Sequence, residues 1–431
     1  MKFQEYTNER SRGISITREN ERTFSVHISM SYSQSVKGMR CEAIAFLYAQ
    51  ALLSGCGTYS RAEFLDAINL LGASISISVS NQVVTISFSS LDTHQAKLQS
   101  LVQTMLQSPS FAQSEITRIK ELKTNELLES KEDAKLQSIE ALENALFTEN
   151  DYRYNFNSDE LITEITHVDK KQLQQFHAET LRTPWTFTFV ASTKNAKKTA
   201  DFIATTQKLC TKTNTVDVDT HAHTEPYVLC KKGVSLVSIP SKQNIEINIG
   251  ASLPFTQDES DYYAFVFGLN VLGKWGGFAG RLMSTVREKE GLTYGIYAKT
   301  ETTSRISAGY WRIMTFFAPD KVMRGIASTL REIELIKTKG ITQTEFDRFK
   351  TILETGEIMR GDSLQSTLQY HHGLQTSGFD LEGIENRKKR MHSLTRSEIN
   401  AALKKYLDTS KLVIACAGPT ASKAKELNAL K

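Results

Sequence analysis

The stretch Gly273-Lys274-Trp275-Gly276-Gly277-Phe278-Ala279-Gly280-Arg281-Leu282-Met283-Ser284-Thr285-Val286-Arg287-Glu288-Lys289-Glu290-Gly291-Leu292-Thr293-Tyr294-Gly295-Ile296-Tyr297 is the most patterned part of the chain. Its glycines form a turn that opens a helix over about Phe278 to Glu290. Gly291 stops that helix, and a strand begins near Thr293. The spacing puts Arg287 in the last helical turn and Tyr294 at the start of the strand. A guanidinium and a phenol so placed can converge on one point. Both donate hydrogen bonds, so together they can polarise a carbonyl or stabilise an oxyanion. A plainer reading stands beside this one: arginine in a last turn complements the helix dipole, and tyrosine is common in strands. The glycines are not a phosphate loop, because no strand leads into them and no Lys-Ser/Thr follows.

Outward from this segment the chain repeats itself. Ser114-Glu115-Ile116-Thr117-Arg118-Ile119-Lys120 resembles Thr344-Glu345-Phe346-Asp347-Arg348-Phe349-Lys350, at an offset of 230. Val168-Asp169-Lys170-Lys171-Gln172-Leu173 resembles Leu394-Thr395-Arg396-Ser397-Glu398-Ile399, at an offset of 226, and each leads from a polar N-cap into a helix. The strands Phe187–Val190 and Val413–Cys416 follow at the same offset of 226. Three matches at nearly constant spacing predict a tandem duplication of one α/β unit, with a period far too long for a solenoid. The joint falls near Thr211–Thr224, a polar run rich in Thr and Asp. We therefore expect domains at 1–210 and 229–431 joined by a linker at 211–228. The fold class is α+β: two tandem homologous domains, each a mostly antiparallel sheet packed with helices.

The first half supplies the local pattern. Alternation marks strands at Thr23–Met30, Ser74–Val79 and Val83–Phe88, with a turn at Asn81. Helices are expected over Glu42–Ser54 and Arg61–Leu71, with Gly72 as the stop. Asp92 is read as the N-cap of a helix to Gln107, and a long helical region covers about Gln113–Phe147. A β-rich run occupies Trp185–Ala191.

Of the 431 residues, 40% are hydrophobic and 23% charged, and the net charge is +4. Length suits two cores, and a charge this near balance carries no footprint for nucleic acid or an anionic membrane. The run Arg387-Lys388-Lys389-Arg390 reads as a solvated helix face. Five scattered cysteines, Cys41, Cys56, Cys210, Cys230 and Cys416, form no Cys-x-x-Cys and predict neither a disulfide framework nor a thiolate metal site. The polar first residues and the lack of any membrane-length apolar run make a cytoplasmic location the simplest expectation. His221 and His223 sit in the linker, where a His-x-His pair rarely holds metal. His371 and His372 adjoin on a helix and point in different directions. His167, His177 and His392 are read as polar surface. No Gly-x-Ser-x-Gly elbow, P-loop or Rossmann fingerprint occurs.

The segment opened above resembles the second-domain signature of the pitrilysin/insulinase superfamily, which includes mitochondrial processing peptidase and bacterial processing-type peptidases. The family's glycine-rich stretch, Arg-Leu and Arg-Glu-Lys-x-Gly-Leu-x-Tyr are matched by Gly276-Gly277, Arg281-Leu282 and Arg287–Tyr294. The resemblance extends over the chain, including the duplicated halves and the run Leu71–Ser76. It implies the processing-peptidase fold. It also implies that Arg287 and Tyr294 hold a substrate carbonyl, while Gly276 and Gly277 let the substrate backbone approach closely.

In the first domain the chain departs from the family. Active members carry His-x-x-Glu-His on the first helix, where two imidazoles on one face bind zinc and the Glu activates water. The corresponding positions are Leu47-Tyr48-Ala49-Gln50-Ala51. Leu47 and Ala51 have no donor atoms, and Gln50 cannot act as a base. Glu126 or Glu129 matches the third ligand of the family, but each reads equally as ordinary helix surface. The resemblance thus implies no cofactor in this chain, with zinc in a homologous partner subunit and peptides as substrates. The alternative is a non-enzymatic structural or peptide-binding protein of the same fold.

Overall fold

The computed structural model describes residues 1–32, 38–210, 233–274 and 277–430. The first half runs β1 (Lys2–Asn8), β2 (Ser11–Arg18), β3 (Thr23–Ser31), α1 (Met39–Leu52), the short pair β4 (Gly55–Cys56) and β5 (Tyr59–Ser60), α2 (Arg61–Asn69), β6 (Ser74–Ser80) and β7 (Val83–Leu91). It continues through α3 (Gln95–Gln107), α4 (Gln113–Ser130), α5 (Ala134–Leu146), α6 (Ser158–His167), α7 (Lys170–Arg182), β8 (Trp185–Ser192) and α8 (Ala196–Cys210). The second half runs β9 (Gly233–Ser238), β10 (Ile245–Ser252), α9 (Ser260–Gly273), a π-helix at Met283–Lys289, β11 (Ile296–Glu301) and β12 (Tyr310–Phe317). Then come α10 (Val322–Lys339), α11 (Gln343–Asp362), α12 (Leu364–Thr376), α13 (Leu381–Ser393), α14 (Arg396–Tyr406), β13 (Val413–Gly418) and α15 (Ala424–Asn428).

Both sheets follow one path. Their strand orders are β1-β2-β8-β3-β7-β6 and β11-β12-β10-β13-β9. With β1 set aside, each half takes its first strand, then its last, then its second, fourth and third. Each sheet has one parallel pair, β2 with β8 and β9 with β13; its other pairs are antiparallel. This is the mostly antiparallel, helix-packed arrangement that the internal repeat implied. The β6–β7 hairpin turns at Asn81 and Gln82, both in the left-handed region that a tight turn of this hand demands.

The chain divides into two compact units that exchange one segment each relative to sequence order. One comprises Met1–Leu127, Phe156–Thr220 and Met359–Ile384; the other comprises Leu128–Asn155, His221–Ile358 and Glu385–Lys431. The period of two along the strands explains the need for both segments. In the first unit Phe24, Val26, Ile28 and Met30 of β3 enter the main core. Ser25, His27 and Ser29 face the other way and meet α12, where Ser29 Oγ lies 2.7 Å from His372 Nε2. In the second unit Ile245, Ile247 and Ile249 of β10 enter the main core. Asn248, on the opposite face, donates to Ser138 Oγ of α5 at 2.8 Å. Leu142 and Leu146 of α5 pack there against Tyr310, Val413 and Ala415.

One local expectation is refined and two are corrected. The region Gln113–Phe147 is two helices, because Asp133 interrupts it and caps α5 by accepting from the Leu136 N–H at 3.1 Å. Asp92 does not cap α3; it opens a 3-10 turn, and its carboxylate accepts twice from Asn195 Nδ2 at 2.7 Å. His177 is not on a polar surface but is buried between Tyr48 and the Leu106 carbonyl. The linker, with His221 and His223, and Cys230 lie outside the described residues.

Candidate functional site

The helix expected over Phe278–Glu290 forms only from Arg281, and its main body is the π-helix Met283–Lys289. Glu290 N–H bonds to the Thr285 carbonyl, five residues back, which marks the wider turn. Three anchors explain this local shape. Leu282, Met283 and Val286 are buried in the second unit's core. Arg281 makes a bidentate pair with Glu345 at the start of α11 (2.6 and 2.7 Å) and also donates to the Gly340 carbonyl at 2.8 Å. Gly291, in the left-handed region, ends the helix, and the Leu292 N–H reaches back to the Val286 carbonyl.

Arg287 and Tyr294 are brought together, as the sequence suggested. The Arg287 guanidinium carbon lies 4.9 Å from the centroid of the Tyr294 ring. It lies equally far, 4.9 Å, from the ring of Phe278, which sequence reasoning did not single out. Tyr294 is 74% exposed and Phe278 69% exposed, unusual for large aromatic side chains. Cation–π contacts hold the guanidinium without using its N–H groups on an oxygen. Among the described residues neither the guanidinium nor the Tyr294 hydroxyl has a hydrogen-bonding partner, so their donors are unspent. The signal available for Phe278 was its place directly after the paired glycines.

The glycines divide by role. Gly276 lies outside the described residues. The atoms nearest to a Cβ on Gly277 would belong to the flexible Lys274 side chain, from 3.5 Å, an ordinary van der Waals contact. Gly280 has φ +122°, and a Cβ on it would stand 3.0 Å from the Gly273 Cα. This glycine closes the turn against the end of α9, a demand the sequence pattern did not distinguish from its neighbours.

The first unit carries no counterpart to a metal centre at the expected place. Leu47 and Ala51 on α1 are each 1% exposed and form part of the apolar core, while Gln50 is half-buried. These side chains do not fit zinc, since neither core position offers a donor atom. Glu126 and Glu129 are exposed on α4, and Glu126 pairs with Lys123 at 2.6 Å. Among the described residues no three His, Cys, Asp or Glu side chains gather as a metal-ligating group. His371 is partly exposed and stacks on Phe3, whereas its neighbour His372 is buried, so the two do point apart.

Residues 167–353 match the family described as the peptidase M16 inactive domain. Over that stretch the chain is similar to this family. A relative from Helicobacter pylori, "Non-peptidase homolog YmxG", is 20% identical over 399 residues, covering 90% of this chain and 88% of its own. Among solved structures, the M16 inactive domain from Pseudomonas fluorescens superposes with a TM-score of 0.85 at 20% identity, over 97% of this chain and 99% of that one. A protease from Helicobacter pylori superposes with a TM-score of 0.81 at 14% identity, over 96% and 99% respectively. These likenesses agree with the two-domain M16 fold, and the pitrilysin/insulinase resemblance without a zinc motif is borne out. The inactive-domain match and the non-peptidase relative support a non-catalytic M16-like protein. Among the described residues no helix is long and apolar enough to cross a membrane.

Proposed function

We propose that this protein is the non-catalytic subunit of a heterodimeric zinc endopeptidase that cleaves peptides or unfolded segments. The observation that carries the reading is the Arg287 guanidinium, held between Phe278 and Tyr294 with its donors unspent. Arg287 and Tyr294 bind a peptide carbonyl, and a homologous partner with His-x-x-Glu-His supplies the zinc. Gly277, and Gly276 by resemblance, leave room for the peptide backbone. The halves 1–210 and 229–431 are its two peptidase-like domains. We assign a reducing cytoplasm, supported by the unpaired thiols of Cys41, Cys56, Cys210 and Cys416.

A peptide would add as a strand to an open sheet edge, giving main-chain contacts and broad specificity. The edge strand β6, Ser74-Ile75-Ser76-Ile77-Ser78-Val79-Ser80, supports this: it carries no Lys, Glu or Pro of the kind that blocks edge pairing. The same edge also favours the second reading, a non-enzymatic peptide-binding protein, which needs no partner zinc.

The test is to purify the chain, measure its zinc and peptidase activity, and mix it with a candidate partner bearing the zinc motif. Activity is expected only in the mixture, and Arg287→Ala should lower it by about 10²–10³, the usual cost of one preorganised donor. Stoichiometric zinc or robust cleavage by the isolated chain would sink the proposal. Peptide binding without activity in any mixture would favour the second reading.

A further inference from the structure

We propose that the Phe278–Arg287–Tyr294 site is a carboxylate receptor, taking a peptide's terminal or side-chain carboxylate in preference to a neutral carbonyl. This rests on the reading of Arg287 and Tyr294 as a peptide-contacting pair and names the ligand chemistry of that pair.

Three observations carry it. First, the guanidinium is oriented by two rings and has no oxygen acceptor among the described residues. A fixed fork of N–H donors matches a carboxylate bidentately, and charge-assisted bonds are about twice as strong as neutral ones. Second, a further cation stands beside the site. Lys274 Nζ lies 3.6 Å from where a Cβ on Gly277 would sit, next to Phe278, and it has no anionic partner among the described residues. Third, two of the acidic side chains around the π-helix are engaged by other arginines. Glu345 is paired with Arg281 at 2.6 Å and Glu290 with Arg331 at 2.5 Å, while exposed Glu288 is followed by exposed Lys289. The unspent charge at the aromatic pair is therefore positive. The exposed rings of Phe278 and Tyr294 offer apolar surface for the residue bearing the carboxylate. Phe278 acts as a positioning residue, since it holds the guanidinium rather than donating to the ligand.

The test uses the full chain and four labelled decapeptides of one sequence, followed by fluorescence anisotropy. One has a free C-terminus and an internal Asn, one a C-terminal amide and an internal Asp, one both carboxylates, and one neither. Either carboxylate should tighten binding about tenfold over the neutral peptide, as one charge-assisted contact does. Which of the two matters identifies the source. The preference should weaken with salt. Arg287→Gln should abolish it, Lys274→Gln should reduce it, and Phe278→Ala should reduce the preference more than the binding of the neutral peptide. Arg287→Lys, which keeps the charge but loses the fork, should retain part of it. If all four peptides bind equally and Arg287→Gln weakens all by one factor, the site takes a neutral carbonyl: the carboxylate proposal falls and the proposed function stands. If Arg287→Gln changes the binding of none, both fall.

Discussion

His177 Nε2 lies 2.9 Å from the Leu106 carbonyl, which can only accept, so that nitrogen carries the proton. Nδ1 then accepts from the Tyr48 hydroxyl at 2.6 Å, and the ring is neutral. Burial pushes its pKa down to about 4. His372 is comparable: burial, with His27 adding to the effect, pushes it down to about 3. Thr188 donates to Gln375 Oε1 at 2.5 Å, so it accepts from His372 Nδ1, leaving Nε2 to accept from Ser29. In the unfolded chain both imidazoles return to about 6.5. Between that value and their folded values the unfolded state binds more protons, so stability is full above pH 6.5 and falls as the pH drops toward 4. Urea denaturation should lose on the order of 3 kcal/mol per histidine across that window. The double variant His177→Gln/His372→Gln should flatten the fall while lowering stability at neutral pH. A wild-type profile without slope between pH 6.5 and 4 would contradict this account. Neither burial was legible in the sequence. A lone histidine on a helix gives no sign of which face will meet a partner such as Tyr48 on α1.

Helix starts were the most readable elements, because their chemistry is local. Asp169 caps α7: it accepts from the Gln172 N–H at 2.8 Å, and Gln172 Oε1 accepts from the Asp169 N–H at 2.9 Å. Thr395 caps α14 in the same reciprocal way with Glu398, at 3.3 and 2.8 Å. Asp169→Ala and Thr395→Ala should each cost about 1 kcal/mol of stability, read from denaturation midpoints. Losses indistinguishable from zero at both sites would show the boxes to be incidental. The π-helix was not readable. Its extra residue per turn is imposed by Arg281 gripping Glu345 at one end and by buried Leu282, Met283 and Val286 along its length. The partner of Arg281 lies 64 residues away, so no window over Gly273–Tyr297 contains the cause.

At the scale of the molecule, the exchange of α5 and α12 sets what can fold alone. A fragment of residues 1–210 contains the first sheet without α12, and would expose Ile14, Ile16 and Val190, which pack against Leu368 and Leu374 in the full chain. A fragment of residues 229–431 lacks α5 and would uncover Tyr310, Val413 and Ala415. Each fragment expressed alone should be poorly soluble or bind hydrophobic dyes, and mixing the two should restore the circular dichroism and cooperative melting of the whole chain. Two fragments that each melt cooperatively and stay monomeric would show that the exchange is dispensable.

The sequence by itself determined the duplication, the strands with their two faces, the capped helices and the pairing of Arg287 with Tyr294. All of these follow from periodicities and spacings of a few residues, or from matches between the halves. It also determined what the α1 positions cannot do, because Leu47, Gln50 and Ala51 lack the atoms that zinc chemistry needs. Only the tertiary structure decided which helix covers the second face of each sheet, because alternation says that a face is buried but not by what. It alone brought Phe278 to Arg287, and the Lys274 side chain to Gly277. Contacts across a folded turn depend on backbone direction, and here that direction comes from Gly280, Arg281 and the core beneath them.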